Sequence, residues 1–319
     1  MGNNFSLTGK KILVTGGTGF IGGHLVKNLL DFKANVIVID IELQPLSTFS
    51  LYKLDNKVKL LFVDVRNKDK VAQIFKQYQP EYVFHLAAQA TVGFAHELPV
   101  EVLETNIMGT VNILEAARKN GKIKGIIAAS SDKAYGKTEK AYTEESALRG
   151  DHPYDVSKSS MDLICQAYFK TYGLPVVITR FGNVYGEGDL HFERIIPGIC
   201  KSIIKNETLE IRSNGRYVRD YIYVKDVVRG YLTLLKNINN IYGEAFNFSS
   251  LDNLSVLELI RRAEKSLDKK INYKILNLAK NEIPYQHLDD SKIKKLGWVN
   301  NYSLVSVLPK IIEWYKNIL

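Results

Sequence analysis

The chain has 319 residues, 45% apolar and 24% charged, a composition typical of an ordinary soluble protein. It has no run of about 18 uninterrupted apolar residues, so we predict no membrane span and no membrane partner. The formal charge of +9 comes from 43 basic and 34 acidic residues. The lysines are spread along the chain without a basic block interleaved with aromatics, which argues against a nucleic-acid partner.

Over the first 180 residues, short apolar runs alternate with longer amphipathic ones, a pattern typical of a parallel sheet with crossover helices. The strand-like runs are KILVT (11–15), NVIVID (35–40), VKLLFVD (58–64), YVFHLA (82–87), IKGIIAAS (123–130) and PVVITRF (175–181). Helical spacing predicts a helix from Phe20 to Leu30, another around 71–78, and two long ones at about 98–120 and 155–172.

After Arg180 the segments become shorter and richer in glycine, proline and asparagine. One later run, EAFNFSS (244–250), can rejoin the first sheet, and amphipathic helices at 255–268 and 303–318 flank a strand-like INYKIL. We therefore predict an α/β fold, a doubly wound parallel sheet of the Rossmann type with a smaller, mixed α/β substrate-binding cap. The predicted NAD-binding domain is 1–180, with 219–250 returning to it, and the predicted cap is 181–218 together with 251–319.

The stretch KILVTGGTGFIGGHL places a glycine loop between a strand and a helix. The spacing is Gly16-x-x-Gly19-x-x-Gly22, and Gly17 adds a second overlapping triplet. Glycines are needed there because side chains would keep backbone N–H groups away from a pyrophosphate, which the helix N-terminus also attracts. The loop predicts a dinucleotide site.

Asp40 ends the second strand, 18 residues after Gly22. A carboxylate there accepts hydrogen bonds from the adenosine ribose and repels a 2′-phosphate. The neighbouring residues in VIDIEL include no arginine or lysine. The sequence therefore predicts NAD rather than NADP as the cofactor.

In YDVSK, Tyr154 and Lys158 are four residues apart and so lie on one face of a helix. A nearby cation lowers the pKa of a phenol from about 10 toward neutrality, so we expect Tyr154 to act as a base on a sugar hydroxyl. Cys165 and Cys200 lie in apolar helical runs, which predicts two reduced core thiols in a cytoplasmic protein. No metal site is predicted.

The chain resembles the extended short-chain dehydrogenases/reductases, and within them the nucleotide-sugar epimerases and dehydratases. The resemblance rests on motifs found in the family's order from residue 11 to 298: TGGTGFIGGHL, DVRN, FHLAAQA, TNIMGTVNILEAAR, SSDKAYG, YDVSK, TRFGNVYG, VRDYIYVKD and LDDSKIKKLGW. It implies a catalytic set of Ser131, Tyr154 and Lys158, with Ser131 holding the sugar's 4-hydroxyl and Lys158 binding the nicotinamide ribose.

The resemblance also implies binding residues for the cofactor and for a nucleotide-diphosphate sugar. The implied cofactor-binding residues are Gly16, Gly19, Phe20, Ile21, Gly22, Asp40, Asp64, Val65, Ala87, Ala88, Tyr154 and Lys158. The implied substrate-binding residues are Gln89, Asn183 and Arg219. In this scheme Asp64 lies by the adenine, Asn183 near the phosphates, and Arg219 neutralises the diphosphate. A surface ion pair between Arg219 and Asp220 is the alternative interpretation of Arg219.

Asp132 and Lys133, in SSDKAYG, directly follow Ser131. A 4-epimerase needs no further acid or base, whereas a 4,6-dehydratase needs a base at carbon 5 and an acid for the departing 6-hydroxyl. Many similar dehydratases carry Asp-Glu at this place, and a smaller set, including CDP-glucose 4,6-dehydratases, carries Asp-Lys. The resemblance therefore implies Asp132 as the acid and Lys133 as the base, although the lysine must be neutral and the carboxyl protonated to react.

An NAD-dependent nucleotide-sugar 4,6-dehydratase is thus the function that the sequence predicts. A 4-epimerase on the same scaffold is the first alternative, with the Asp132–Lys133 pair as an exposed turn. A non-catalytic NAD-sensing protein is the second, and it is disfavoured because Tyr154 and Lys158 are both present. By analogy with relatives, the helices near 98–120 and 155–172 imply a homodimer.

Overall fold

The structure, a computed structural model, describes residues 5–138, 140–278 and 283–319. Its strands are, in chain order, β1 (Lys11–Thr15), β2 (Asn35–Asp40), β3 (Lys59–Phe62), β4 (Tyr82–His85), β5 (Gly125–Ala129), β6 (Val176–Phe181), β7 (Asn183–Tyr185), β8 (Leu209–Ile211), β9 (Val218–Tyr223), β10 (Ala245–Phe248), β11 (Asn253–Ser255) and β12 (Tyr273–Ile275).

The α-helices are α1 (Phe20–Asp31), α2 (Thr48–Leu51), α3 (Lys68–Tyr78), α4 (Val92–Glu97), α5 (Pro99–Leu103), α6 (Gly109–Asn120), α7 (Pro153–Tyr172), α8 (Ile195–Lys205), α9 (Val224–Asn237), α10 (Val256–Leu267), α11 (Ser291–Lys294) and α12 (Leu304–Lys316). Shorter turns of 3₁₀-helix cover Asp55–Lys57, Asp132–Tyr135 and Ile238–Asn240. A π-helical turn, Glu104–Met108, lies between α5 and α6.

Seven strands form one sheet in the order β10-β6-β5-β4-β1-β2-β3. Every neighbouring pair in it is parallel. The chain runs outward from β1 to β3 and then restarts on the other side of β1 at β4, so the direction of winding changes between β1 and β4. Ligands of doubly wound sheets bind at the carboxyl ends of the strands at such a switch point.

Both faces of this sheet are buried, because successive side chains of its strands enter different cores. In β1, Ile12 and Val14 join the core that contains α1 and α9, whereas Leu13 joins the core of α3, α6 and α7. The alternation explains why these strands read as continuous apolar runs. The predicted doubly wound α/β fold is confirmed.

The cap has its own apolar core and two small sheets. Its sheets have the orders β11-β9-β7 and β12-β8. Its core draws mainly on α8, α10 and α12, including Ile199, Leu259 and Ile311. The smaller mixed α/β part of the predicted fold is therefore present beside the large sheet.

The predicted strands and helices match the observed ones to within a few residues, with two differences. The helix expected at about 98–120 is divided into α5, the π-helical turn and α6. Within the returning segment 219–250, β10 completes the large sheet, but β9 pairs with β7 and β11 in a small one. Cys165 and Cys200 are buried free thiols in different cores.

Candidate active site

The glycine loop bridges the end of β1 and the start of α1. Gly16 has φ +68°, and a Cβ on it would lie 2.8 Å from the backbone nitrogen of Ala87, which follows β4. A Cβ on Gly22 would collide with the carbonyl oxygen of Gly16. The loop is thus closed to side chains and presents backbone at the switch point, which fits a dinucleotide pyrophosphate. Phe20 and Ile21, half-buried in the first turn of α1, pack partly against the cap core.

Asp40 lies at the carboxyl end of β2 and faces this loop. Its Oδ2 accepts hydrogen bonds from the amide (3.0 Å) and hydroxyl (2.6 Å) of Thr18, and its Oδ1 accepts from the amide of Ile41 (2.9 Å). Burial raises the pKa of Asp40, and these donors partly offset the shift. The carboxylate is fixed where an adenosine ribose would lie in a dinucleotide fold.

Asp64 and Val65 follow β3 at the same edge of the sheet. The Asp64 carboxylate is bound by Arg66, with Nη2 at 2.6 Å and Nε at 2.9 Å from Oδ2. Burial acts to raise the pKa of Asp64, but the Arg66 hydrogen bonds outweigh it and lower the pKa. Asn112 donates to the carbonyl oxygens of Val65 (2.9 Å) and Arg66 (3.0 Å), which ties this loop to α6. The sequence analysis did not identify this pair of hydrogen bonds from Arg66 to Asp64.

The segment after β4 holds Ala87, Ala88 and Gln89, all half-buried. Asn106, in the π-helical turn, accepts from the Gln89 amide (2.8 Å) and donates to the Gln89 carbonyl oxygen (3.1 Å). The same side chain donates to Ser157 Oγ in α7 at 2.9 Å. Asn106 therefore joins the cofactor-side loop to the helix that carries Tyr154, a role that sequence reasoning missed.

His85 lies beneath this loop in a chain of buried hydroxyls. The Thr110 hydroxyl donates to the Asn106 carbonyl oxygen (2.6 Å), so its oxygen accepts from Nε2–H of His85 (3.0 Å). Nδ1 of His85 then accepts from Thr15 Oγ1 at 2.7 Å. Burial, with a smaller contribution from Lys158, lowers the pKa of His85 to about 3. A neutral imidazole thus supports the floor of the cofactor loop.

Ser131, Asp132 and Lys133 form the turn at the carboxyl end of β5. Ser131 caps the 3₁₀ turn Asp132–Tyr135, and its Oγ donates to Asp132 Oδ1 at 3.0 Å. Asp132 is only 4% exposed, and burial raises its pKa. Lys133 is half-buried. The three side chains predicted from SSDKAYG are therefore together at the edge of the site.

Tyr154 and Lys158 extend from α7 toward the same strand end. Lys158 Nζ donates to the Ala129 carbonyl oxygen at 2.8 Å, and burial lowers its pKa to about 8. Tyr154 is buried, and burial raises its pKa to about 12, partly offset by a hydrogen bond with Ser131. The expected lowering of the tyrosine pKa is thus not found here, because burial dominates and the lysine is directed to a backbone carbonyl.

Two further residues near this turn were not identified from the sequence. Gln286 contacts both members of the pair: its Nε2 donates to Asp132 Oδ2 and its Oε1 accepts from Lys133 Nζ, each at 3.1 Å. Asp155 is buried with an unpartnered Oδ1, and burial raises its pKa to about 6. Asp155 could have been identified from the sequence because it is adjacent to Tyr154. Gln286 could not, because it is 153 residues from Lys133 and no local sequence pattern relates the two.

Two of the three predicted substrate residues, Asn183 and Arg219, lie on the cap side. Asn183 begins β7 and is exposed, and in the sheet register it is beside Tyr221 of β9. Arg219, in β9, is buried, and its Nη1 donates to the Val218 carbonyl oxygen at 2.8 Å. The carboxylate of the next residue, Asp220, accepts from His287, Leu288, Asn253 and Ser249. Arg219 is close enough to Asp132 to influence its pKa.

Within residues 5–138, 140–278 and 283–319, no cluster of three or more His, Cys, Asp or Glu side chains could hold a metal ion. Nor does any helix in that part of the chain have the length and apolar character needed to cross a bilayer. The described site combines a side-chain-free dinucleotide loop with a serine–tyrosine–lysine set, and it adds a buried acid, Asp132, beside the half-buried Lys133. Such a constellation can move protons at adjacent positions of one ligand.

Comparison with known proteins finds sugar-nucleotide 4,6-dehydratases among the relatives of this chain. The CDP-glucose 4,6-dehydratase of Salmonella typhimurium is 31% identical over 97% of this chain and 91% of its own length. The dTDP-glucose 4,6-dehydratase of Escherichia coli is 31% identical over 96% of this chain and 94% of its own.

Solved structures of both reaction types share the fold. The dTDP-glucose 4,6-dehydratase of Streptomyces venezuelae, solved with NAD bound, has a TM-score of 0.87 at 28% identity and covers 96% of this chain and 97% of its own. The UDP-glucuronic acid 4-epimerase of Bacillus cereus, in complex with UDP-glucuronic acid and NAD, has a TM-score of 0.89 at 28% identity. The match covers 97% of this chain and 100% of the epimerase chain. The NAD dependent epimerase/dehydratase family matches residues 12–248, and this chain belongs to that family.

Proposed function

We propose that the protein is an NAD-dependent nucleotide-sugar 4,6-dehydratase, which converts its substrate to a 4-keto-6-deoxy sugar nucleotide. The observation that carries the proposal is the buried Asp132 beside half-buried Lys133, directly after Ser131. A 4-epimerase has no use for a second acid and base at this place, whereas elimination across carbons 5 and 6 requires both.

NAD, when bound, would supply the reversible hydride acceptor that links oxidation at carbon 4 to reduction at carbon 6. In this proposal the loop Gly16–Gly22, with Phe20 and Ile21, receives the pyrophosphate, and Asp40 receives the adenosine ribose. Asp64 and Val65 border the adenine, Ala87 and Ala88 line the cofactor, and Lys158 holds the nicotinamide ribose. The closed glycine loop and the fixed Asp40 carboxylate support this arrangement.

Oxidation at carbon 4 requires removal of the 4-hydroxyl proton. We assign Tyr154 as its acceptor and Ser131 as the hydroxyl that orients it, because the two side chains lie at the end of β5, close enough for Ser131 to act against the rise in the pKa of Tyr154. The high pKa of Tyr154 disfavours its phenolate in this structure, so the positive charge of a nearby cation must act when the proton moves. Lys158 is the cation on the same face of α7.

The 4-ketone makes the hydrogen on carbon 5 acidic. Neutral Lys133 takes that proton, the C5–H electrons form a C5–C6 double bond, and the C6–O bond breaks. Asp132 gives its proton to the departing hydroxyl, which leaves as water. When carbon 6 has been reduced, the ammonium of Lys133 returns a proton to carbon 5. Overall the sugar loses one water, made of the 6-hydroxyl and the proton from Asp132. The proton that Tyr154 took from the 4-hydroxyl then passes to solvent, and Asp132 takes a proton from solvent, which restores both groups for the next cycle.

The buried position of Asp132 supports its assignment as the acid. A general acid must hold its proton until the leaving group needs it, and burial raises the pKa of Asp132 in that direction.

A nucleotide-diphosphate sugar is the substrate class that we propose. Gln89 borders the loop after β4, Asn183 lies at the start of β7, and Arg219 is a cation in β9. We assign the diphosphate to Arg219 and Asn183 and the sugar side to Gln89. The family and the nucleotide sugars in structures of relatives support this assignment.

The decisive experiment incubates the protein with UDP-, CDP-, GDP- and dTDP-hexoses in deuterium oxide, followed by mass spectrometry. A product lighter by one water, with one deuterium at carbon 5, supports the dehydratase. An isomer of unchanged composition would replace the proposal with a 4-epimerase, the alternative that structures of relatives also represent. Absence of any reaction with bound NAD would favour a non-catalytic NAD-binding protein.

We further propose a homodimer in which the segment from α5 to α6 (98–120) and α7 of one copy pack against those of a second copy. Exposed apolar side chains lie along α5, the π-helical turn and α7, namely Val100, Met108, Val156, Leu163 and Tyr172. A patch of this kind is typical of a contact surface. Light scattering tests it: Leu163→Lys should yield a monomer if wild type is a dimer, and a monomeric wild type would contradict the proposal.

For the domains we propose the division already given, an NAD-binding part of 1–180 with 219–250, and a cap of 181–218 with 251–319. The completion of the large sheet by β10 supports it, although β9 belongs to a small sheet. We also propose a cytoplasmic location, which is supported by two buried free thiols.

A further inference from the structure

Gln286 lies in the cap segment 283–288, which crosses from the cap to the end of β5. Its backbone N–H donates to the Val218 carbonyl oxygen (3.1 Å), and its own carbonyl oxygen accepts from Asn253 Nδ2 (3.0 Å). The residue is 1% exposed. Its side chain is thus held on a fixed backbone within the protein.

The amide of Gln286 is inserted between the proposed acid and the proposed base. It donates from Nε2 to Asp132 Oδ2 and accepts at Oε1 from Lys133 Nζ, each over 3.1 Å. The other oxygen of Asp132 accepts from Ser131. In the described part of the chain no ion pair joins Asp132 and Lys133 directly, although they are neighbours in sequence.

These contacts fit the charged state of the pair, a carboxylate beside an ammonium. Both oxygens of Asp132 accept hydrogen bonds, as a carboxylate does, and Lys133 donates one, which an ammonium and a neutral amine can both do. This is the state that elimination produces, because Lys133 has then gained the carbon 5 proton and Asp132 has lost its own to water. The state that must precede elimination has a neutral lysine and a protonated carboxyl.

A glutamine amide can serve both states because it has one donor end and one acceptor end. If the amide turns over about its terminal bond, its oxygen accepts from a protonated Asp132 and its NH₂ group donates to the lone pair of a neutral Lys133. A leucine of similar size offers neither contact. A direct carboxylate–ammonium pair would hold both groups charged, which opposes the reaction.

We propose that Gln286 is a positioning residue for the elimination, which keeps Asp132 and Lys133 apart and hydrogen-bonded before and after the proton transfers. This inference rests on the proposed dehydratase function. It places a residue of the cap in control of the acid–base pair.

Other ionisable groups also face the pair and will contribute to its pH dependence. Asp155 is near both Asp132 and Lys133, and His152 is near Lys133. The groups near Asp132 are Tyr142, Tyr154, Arg219 and Asp220. They are unchanged in a Gln286 variant, so a difference between variant and wild type reports on position 286.

The test compares Gln286→Leu and Gln286→Glu with wild type and with Gln73→Leu, an exposed glutamine of α3 as control. In Gln286→Leu, enzyme-bound NADH should still form on addition of the sugar nucleotide, while water loss falls by about 100-fold. Gln286→Glu should regain water loss at low pH, because a protonated carboxyl donates and accepts as the amide does, and should lose it again as pH rises. Full water loss in both variants, or a Gln286→Glu profile parallel to wild type, would overturn the inference.

A second measurement does not depend on the reaction. Carbon-13 NMR titration of the Asp132 carboxyl, assigned by its disappearance in Asp132→Asn, should show a higher pKa in Gln286→Leu than in wild type, because the carboxylate has lost a donor. An unchanged pKa contradicts the role of Gln286. A raised pKa in a protein that eliminates no water from any sugar nucleotide contradicts the dehydratase function and leaves the contact established.

Discussion

Lys158 donates a hydrogen bond from its ammonium to the carbonyl oxygen of Ala129, 2.8 Å away, and so ties α7 to the last residue of β5. The ammonium is fully desolvated, and burial lowers its pKa to about 8 from 10.5. A charged group is therefore kept next to the proposed sugar site at some cost to folding.

That cost makes a prediction for Lys158→Met. Because the pKa of Lys158 is lower in the folded than in the unfolded chain, the unfolded chain binds more protons between about pH 8 and 10.5, and stability from this residue rises with pH across that window. Between pH 8 and 10.5, the free energy of unfolding of the wild type, measured in urea, should rise by up to about 3 kcal/mol relative to that of Lys158→Met. A constant difference between the two proteins would contradict the desolvated ammonium.

Tyr154→Phe removes the proposed acceptor of the 4-hydroxyl proton. We expect the rate of oxidation at carbon 4, followed as NADH absorbance on mixing with sugar nucleotide, to fall by about 10²–10⁴-fold. Binding of the sugar nucleotide, measured by calorimetry, should persist. Tyr168→Phe, on the same helix, is the matched control and should behave as wild type. Rapid NADH formation in Tyr154→Phe would assign the proton to another group.

Lys133→Met separates the two halves of the proposed reaction. Oxidation at carbon 4 should continue, so enzyme-bound NADH accumulates, while water loss and deuterium exchange at carbon 5 fall below detection because the base is missing. Lys137→Met is the control, since Lys137 is exposed and pairs with Asp151 at 3.3 Å. Near-normal water loss in Lys133→Met would contradict the base assignment.

Asp40→Ser should change the choice of dinucleotide. With the carboxylate gone, the 2′-phosphate of NADP is no longer repelled, and the ribose hydroxyls lose an acceptor. We expect the ratio of dissociation constants for NADP and NAD to fall by at least about tenfold, or 1.4 kcal/mol. Asp31→Ser, at the exposed end of α1, should leave the ratio unchanged. An unchanged ratio in Asp40→Ser would show that another group selects the cofactor.

Because His85 is buried as a neutral imidazole, we expect it to lower the free energy of unfolding at acidic pH. Its pKa is lowered to about 3 in the fold from 6.5, so the stability it contributes is present above pH 6.5 and is lost as pH falls toward 3. His85→Gln can still bond both Thr15 and Thr110 but cannot titrate. When the pH is lowered from 7 to 5, the free energy of unfolding, measured with denaturant, should fall by about 2 kcal/mol more in the wild type than in His85→Gln. Parallel curves would contradict a buried neutral imidazole.

The elements of the large sheet could be predicted because both its faces are buried, which makes each strand an apolar run bounded by polar residues. The glycine loop and the Ser131–Tyr154–Lys158 set could be found because strand, turn and helix periodicity fix their local geometry. The placement of β9 could not be predicted, because its sequence, which includes Arg219 and Asp220, does not show which sheet it joins, and only its pairing with β7 and β11 places it in a small sheet.

Contacts between segments that are far apart in the chain could not be predicted from the sequence either. Gln286 acts through a hydrogen bond to a residue more than 150 positions earlier, and its neighbours show no periodicity that would orient it. Likewise, the expected effect of Lys158 on the pKa of Tyr154 followed from spacing, but burial, which depends on the packing of the whole site, outweighed it.

Asp220, which is 1% exposed, binds Ser249, Asn253, His287 and Leu288 around a single carboxylate. A fragment that stopped after β10 would lack all four of these donors and leave the carboxylate without its hydrogen-bond partners, which is strongly unfavourable for a buried charge. The nucleotide-binding half is consequently not a transplantable module: grafting it onto a foreign partner would require an equivalent of the 283–288 segment to come with it.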